Sequence, residues 1–257
     1  MAAALVAPSL HADTAPPSAH APLDLRYGMT YAGMHTADLA LTMQPASGRT
    51  RSELVVRTEG LVGWLSGSFT RMRASSTAGT PVQPRAFSAQ YSKRDRDRET
   101  SLRWDGNGRL TEATEARNGR TKPSEVPEAD REGAIDPLTA VLRLRDWLAA
   151  GPDRGAELRL PVTDGRKRLD MVATRRGDVR EGGRELHSLE VQLLPVFGFE
   201  PGDALVSWPG APKLYEVLVS GDGRYAPLEV RENGAPLVTV SRDCLSRPGC
   251  EAIEKKE

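Results

Sequence analysis

From Leu23 onward, much of the chain alternates apolar and polar residues with a period of two. In Glu157-Leu158-Arg159-Leu160-Pro161-Val162, every second residue is apolar. Leu169, Met171 and Ala173 repeat the pattern, as do Leu189, Val191 and Leu193. Tyr215, Val217 and Val219 follow, then Leu228 and Val230, then Val238 and Val240. Successive side chains of a strand point to opposite faces, so this alternation buries one face and wets the other, as antiparallel sheets do. Asp105-Gly106, Asn118-Gly119, Asp164-Gly165, Asp222-Gly223 and Asn233-Gly234 punctuate the runs. Such pairs supply the positive φ of tight hairpins, so neighbouring strands are predicted to pair consecutively as a meander.

One segment follows a helical period instead. Asp136-Pro137 offers an N-cap and a proline at the first helical position. Leu138, Val141, Leu142 and Leu148 then share one apolar arc. Gly151-Pro152 is a stop signal. The predicted helix, Pro137–Ala150, is about 21 Å long. Trp147 lies off its apolar stripe and is expected to be partly exposed or to meet a loop. The polar, proline-containing stretch from Gly119 to Gly133 reads as a loop. The predicted fold class is mainly β: a single large curved antiparallel sheet of roughly ten strands, an open or half-closed barrel wrapped around one α-helix. Residues 23–250 form one β-rich domain in this reading, between an arm (1–22) and a charged tail (251–257).

Composition narrows the function classes. The 257 residues suffice for one large domain with a sizeable core. Lys+Arg and Asp+Glu both number 35, which argues against broad electrostatic capture of nucleic acid or of an anionic membrane surface. No run of apolar residues is long enough for a transmembrane helix. The opening Met-Ala-Ala-Ala-Leu-Val-Ala-Pro-Ser-Leu-His-Ala admits two readings. It is the tail of a secretory signal with Ala12 before the cleavage site, or a disordered Ala/Pro-rich arm. The first places the protein outside the cytoplasm.

Cys244 and Cys250 are the two cysteines, separated by a segment containing the Pro248-Gly249 turn dipeptide. In an exported protein such a pair forms a disulfide bond, whereas a metal site would need two further ligands. The apolar, glycine-rich run Gly60 to Gly67 contains Leu61, Val62, Trp64 and Leu65. These four are the candidate apolar ligand-binding residues, with the glycines letting a loop move aside; a bent strand with an inward tryptophan is the plainer alternative. Lys93 to Glu99 is the densest charge run. Arg94, Arg96 and Arg98 would share a strand face, as an anion ladder or as the wet face of an edge strand. Asp164 and Asp170 flank a turn, and Asp164 is explained by the hairpin itself. Ser, His and Asp occur without a nucleophile elbow. No catalytic residue, metal or cofactor is assigned.

Several segments together resemble the bacterial family catalogued as domain of unknown function 3108. They are Tyr31-Ala32-Gly33-Met34 leading into Leu39-Ala40-Leu41, then Thr58-Glu59-Gly60-Leu61, then Asp136 to Arg145. Leu160-Pro161-Val162-Thr163-Asp164-Gly165-Arg166 resembles the family's most telling hairpin, and Pro227-Leu228-Glu229-Val230 its closing strands. The resemblance spans roughly residues 25–242 as a set of short patterns. Ala37 stands where a second glycine is expected, which implies a straighter opening strand. The resemblance implies an exported protein without an assigned reaction and transfers no catalytic residue.

The function expected from these readings is non-enzymatic: a periplasmic cell-envelope protein binding a lipid, another apolar ligand or a partner envelope protein in the concave face of its sheet. The alternatives are a hydrolase acting on envelope polymers and a purely structural periplasmic partner. A sheet whose own side chains fill its interior would need no ligand.

Overall fold

The computed structural model describes residues 19–59, 68–93, 96–181, 183–200, 206–207, 213–232 and 238–241. Fourteen strands among them form one antiparallel sheet. The first eight are β1 (Leu23–Tyr31), β2 (Met34–Ala46), β3 (Arg49–Thr58), β4 (Phe69–Thr77), β5 (Pro84–Lys93), β6 (Arg96–Trp104), β7 (Leu110–Arg117) and β8 (Arg120–Pro123). Two helices follow, α1 (Glu128–Arg131) and α2 (Pro137–Ala149). The last six strands are β9 (Glu157–Thr163), β10 (Arg168–Glu181), β11 (Arg184–Phe197), β12 (Tyr215–Ser220), β13 (Pro227–Glu232) and β14 (Val238–Ser241). Each half is a meander. The halves join where β1 pairs with β14, leaving β8 and β9 as the two edges.

The hairpins explain the consecutive pairing. Asn118-Gly119 turns β7 into β8 with both residues at positive φ. Ala32-Gly33 and Ser47-Gly48 do the same between β1 and β2 and between β2 and β3. Asp164 accepts hydrogen bonds from the backbone of Arg166 and Lys167, and Gly165 takes φ +87°. A Cβ on Gly165 would lie 3.0 Å from the Leu102 side chain. The β9–β10 turn therefore packs against β6, and the Tyr91 hydroxyl of β5 donates to Asp164 at 3.0 Å. These contacts bring the far end of the second meander onto the first, so the sheet curves into a half-closed barrel.

Helix α2 occupies the inside of that curve. Asp136 caps it, accepting from Leu138 N, Thr139 N and Thr139 Oγ1. Burial pushes its carboxyl up to about 6, against the lowering effect of the bonds from Thr139 and Leu138. Leu138 and Leu142 enter a core with Leu25, Met43, Phe87 and Leu102. Leu144 and Leu148 enter another with Ala173, Leu189 and Val217. At 3.6 residues per turn, Leu142 and Leu144 point about 160° apart, so the helix is enclosed from two sides. The buried arc is wider than the predicted stripe, which lacked Leu144, Ala140 and Arg145. Val141 and Trp147 are partly buried, each against one of these cores.

Arg145 is 1% exposed. Its guanidinium donates to Arg224 O at 2.9 Å and to Ala21 O at 3.1 Å, and Nη1 lies 3.7 Å from Met43 Sδ. It thereby ties the approach to β1, strand β2 and the β12–β13 turn to the helix. Burial lowers its pKa to about 10.

Three expectations need correction. The stretch from Gly119 to Gly133 holds β8 and α1 rather than loop alone. The strands number fourteen rather than ten; short and wholly exposed β8, for one, carries no alternation to read. Strand β6, which carries part of the charge run, lies between β5 and β7 and is not an edge. The expected boundary between residues 250 and 251 and the disulfide pair, Cys244 and Cys250, lie outside the described residues.

Candidate functional site

Outward-facing side chains are set by the same register that builds the core. Met43, Ser52, Ala74, Phe87 and Leu102 pair across β2 to β6 and face α2. The rows on either side of them face outward. One runs Gln44, Arg51, Ser75, Ala86, Arg103, and the next Thr42, Glu53, Arg73, Ser88, Ser101. The middle of these rows is a staggered group of small residues, Ser75 and Ala86 on β4 and β5 in one row and Ser88 and Ser101 on β5 and β6 in the next. Arginines stand around it. The result is a depression of about 540 Å³ on the outer face. Arg73 is held by Glu53 at 2.9 Å, and Arg103 by Glu112 at 3.3 Å. Arg51 has no ion pair among the described residues. Sequence reading missed this site because its residues come from five strands. Its only local signal is small residues at the wet positions of β4, β5 and β6.

Two other depressions lie elsewhere on the surface. One of about 440 Å³ is bordered by Phe69, Tyr91, Arg98 and Asn118. Another of about 660 Å³ lies between the β6–β7 turn and α1. The concave face carries α2 and the two cores, which is the arrangement of a sheet filled by its own side chains.

The candidate residues from the sequence fall as follows. Leu61, Val62, Trp64 and Leu65 lie outside the described residues. The stems of their segment are described: Thr58 N donates to Ser68 O at 3.2 Å, and Glu59 N donates to Thr36 O at 2.8 Å. The second bond ties this connection to the β1–β2 hairpin, whose ends Tyr31 and Met34 face each other in register. Both are exposed, at 47% and 63%. Of the candidate arginine ladder, Arg94 and the Arg96 side chain lie outside the described residues. Arg98 pairs with Glu115 of β7 at 3.1 Å, and Asp97 on the opposite face accepts from Ser92. A carboxylate of the next strand thus helps to neutralise Arg98. Asp164 and Asp170 are not a carboxylate pair. Asp164 takes the Tyr91 hydroxyl, while Asp170 binds Arg159 and Arg168. Burial, and then the Asp164 carboxylate, push the Tyr91 hydroxyl above the ordinary tyrosine range.

Three imidazole–carboxylate pairs among the described residues were not foreseen, one of them His20 Nε2 with Asp146 Oδ1 at 3.5 Å. His187 Nδ1 lies 2.7 Å from Asp178 Oδ1 and 3.0 Å from Arg175 Nη2, with its ring stacked on Tyr225. The Arg175 guanidinium, and then His187, hold the Asp178 carboxyl below the usual carboxylate range. His35 Nε2 lies 3.0 Å from Asp38. The partners given to these rings are carboxylates and an arginine rather than a hydroxyl or thiol. Among the described residues, no cluster of three His, Cys, Asp or Glu could hold a metal.

Comparison with known proteins agrees with this architecture. No curated relative matches the sequence. A solved beta-barrel-like protein of the domain of unknown function DUF1849 from Brucella abortus superposes with a TM-score of 0.51 at 8% identity, over 88% of this chain and 96% of that one. That likeness is one of fold. A duf1089 family protein from Pseudomonas aeruginosa overlaps at a TM-score of 0.35 and 12% identity, covering 75% of this chain and 88% of the other. An overlap that low carries no argument. The model of the family described as "Protein of unknown function (DUF3108)" matches residues 26–193, from β1 into β11 and including α2. The Pro227–Val230 segment lies beyond the matched residues. With most of its length matched, including the opening hairpin, the capped helix and the β9–β10 turn, the chain belongs to the DUF3108 family.

Proposed function

We propose that this is a non-catalytic, exported protein of the bacterial cell envelope, acting in the periplasm, that holds an apolar ligand at its rim. The ligand is an acyl chain of a lipid or an apolar segment of a partner protein. The observation that carries the reading is the rim itself. Tyr31 and Met34 are exposed in register at the end of the β1–β2 hairpin, and a backbone bond ties that hairpin to Glu59. Leu61, Val62, Trp64 and Leu65 follow within a few residues. Exposed large apolar side chains beside such a run are the composition of a recognition surface rather than of an ordinary wet turn. Placing the ligand at the rim also respects the filled interior, where α2 leaves its place to nothing else. A hydrolase acting on envelope polymers is less well supported, since the partners given to His187 and His35 hold them as structural pairs.

The test follows Trp64 fluorescence while oleate or phosphatidylglycerol vesicles are titrated in. Trp147 and Trp208 are replaced by Phe. Trp104 is kept, because it is 5% exposed and its indole donates to Ala134 O at 2.9 Å. A saturable change that Met34→Glu or Trp64→Ala weakens supports the reading. A folded protein giving no saturable change with either lipid form, nor with an apolar peptide, removes it.

A further inference from the structure

We propose that the outer-face depression between β3 and β6 is a binding site for an anionic, hydroxyl-bearing ligand of the sugar-acid or sugar-phosphate class. The site does not depend on the rim reading, since it lies on the convex side, away from α2.

The argument starts from the pairing register. Arg51, Ser75, Ala86 and Arg103 sit directly opposite one another across four adjacent strands. At about 4.8 Å per strand, the two arginine Cα atoms stand roughly 14 Å apart with only small side chains between them. An extended arginine reaches about half that span, so the two guanidiniums can close on one ligand lying over Ser75 and Ala86. In the neighbouring row Arg73 stands diagonally from Arg51, and Ser88 and Ser101 continue the floor.

Charge and chemistry then select the ligand. Three guanidiniums face one carboxylate, Glu53, within the depression. Glu53 is already taken by Arg71 at 3.3 Å and Arg73 at 2.9 Å, and Glu112 takes Arg103 at 3.3 Å. Arg51 is left with an uncompensated planar donor fork, the geometry that carboxylate and phosphate oxygens match. The hydroxyls of Ser75, Ser88 and Ser101 can donate or accept, which suits ligand hydroxyls rather than a hydrocarbon. The volume of about 540 Å³ lies in the range of small-ligand sites. No aromatic side chain is needed on the floor, because recognition rests on the charge and the hydroxyls.

The full chain is titrated with glucuronate, glucose 6-phosphate and glucose while the amide resonances of Ser75, Ala86, Ser88 and Ser101 are followed by NMR. The site predicts saturable shifts with at least one charged sugar and markedly weaker ones with glucose; which charged sugar binds tells carboxylate from phosphate. Arg51→Gln should weaken binding roughly tenfold, the loss of one charge-assisted fork. Ser88→Trp should fill the floor and abolish binding with the circular dichroism spectrum unchanged. Three results overturn the proposal: no saturable shift with either charged sugar, equal binding of glucose, or equal affinity in Arg51→Gln. The last variant changes an exposed side chain, so the proposal remains testable even if Ser88→Trp does not fold.

Discussion

Truncating the two sides of α2 tests whether the helix is enclosed or merely lies on the sheet. Leu142 is 3% exposed and Leu144 is 8% exposed, and they enter different cores. Leu→Ala removes three carbon groups, worth about 0.8 kcal/mol each in transfer, or roughly 2.4 kcal/mol. A residual cavity of some 50–80 Å³ adds about 1–2 kcal/mol at about 24 cal/mol per Å³. Each single variant should therefore lose about 3–4 kcal/mol. The double variant should lose close to the sum, because the two side chains share no partner core. Urea unfolding followed by circular dichroism and tryptophan fluorescence measures this, with an unchanged slope confirming that the same transition is compared. A helix resting on one face would lose stability at Leu142 and almost none at Leu144. A loss below about 0.5 kcal/mol at either position would refute the enclosed helix.

Other consequences follow from single groups. Because burial raises the folded-state pKa of Asp136 to about 6, its protonation favours the native state. The contribution is complete below about pH 4 and lost as pH rises through 6, on the order of 3 kcal/mol in total. The stability difference between wild type and Asp136→Asn should therefore change across pH 4–6.5 in denaturation series, and a constant difference would contradict this account. Tyr91→Phe removes the bond to Asp164 that fastens the β9–β10 turn, and should cost about 1–2 kcal/mol by the same assay. Arg145→Ala leaves the carbonyls of Ala21 and Arg224 without their donor and should destabilise by about 3 kcal/mol or more, whereas Arg145→Met, which keeps volume and sheds a desolvated charge, should cost much less. Thiol titration of the denatured, unreduced protein should find no free thiol at Cys244 or Cys250, and two free thiols would refute the proposed bridge.

Alternation made the strands from β9 to β14 legible, and Asp136-Pro137 marked the start of α2 because cap and proline act locally. What escaped depends on partners distant in sequence. Ala32-Gly33 and Ser47-Gly48 form tight hairpins without the Asn-Gly or Asp-Gly pair that announces them. Leu144 and Arg145 looked like polar-side positions until a second wall of sheet closed over them. The pairing of Arg98 with Glu115 across two strands has no local signal either. The outer-face depression is invisible for the same reason, since no sequence window contains Arg51, Ser75, Ala86 and Arg103 together. Register, not composition, creates it.

The seam between β1 and β14 has a further consequence, for the order in which the molecule can be made. Every other strand pair joins elements that are consecutive in the chain or separated only by a short connection. Each arm can zip by local closure, with little loop entropy to overcome. The seam alone brings together strands far apart in sequence, pairing Gly28 of β1 with Ser241 of β14. Until β14 has been made, one side of β1 stands as an unprotected edge able to template foreign strands. Shielding the outer side of β1, by a chaperone or by delayed folding, would be as much a requirement of its biogenesis as any contact in the finished sheet.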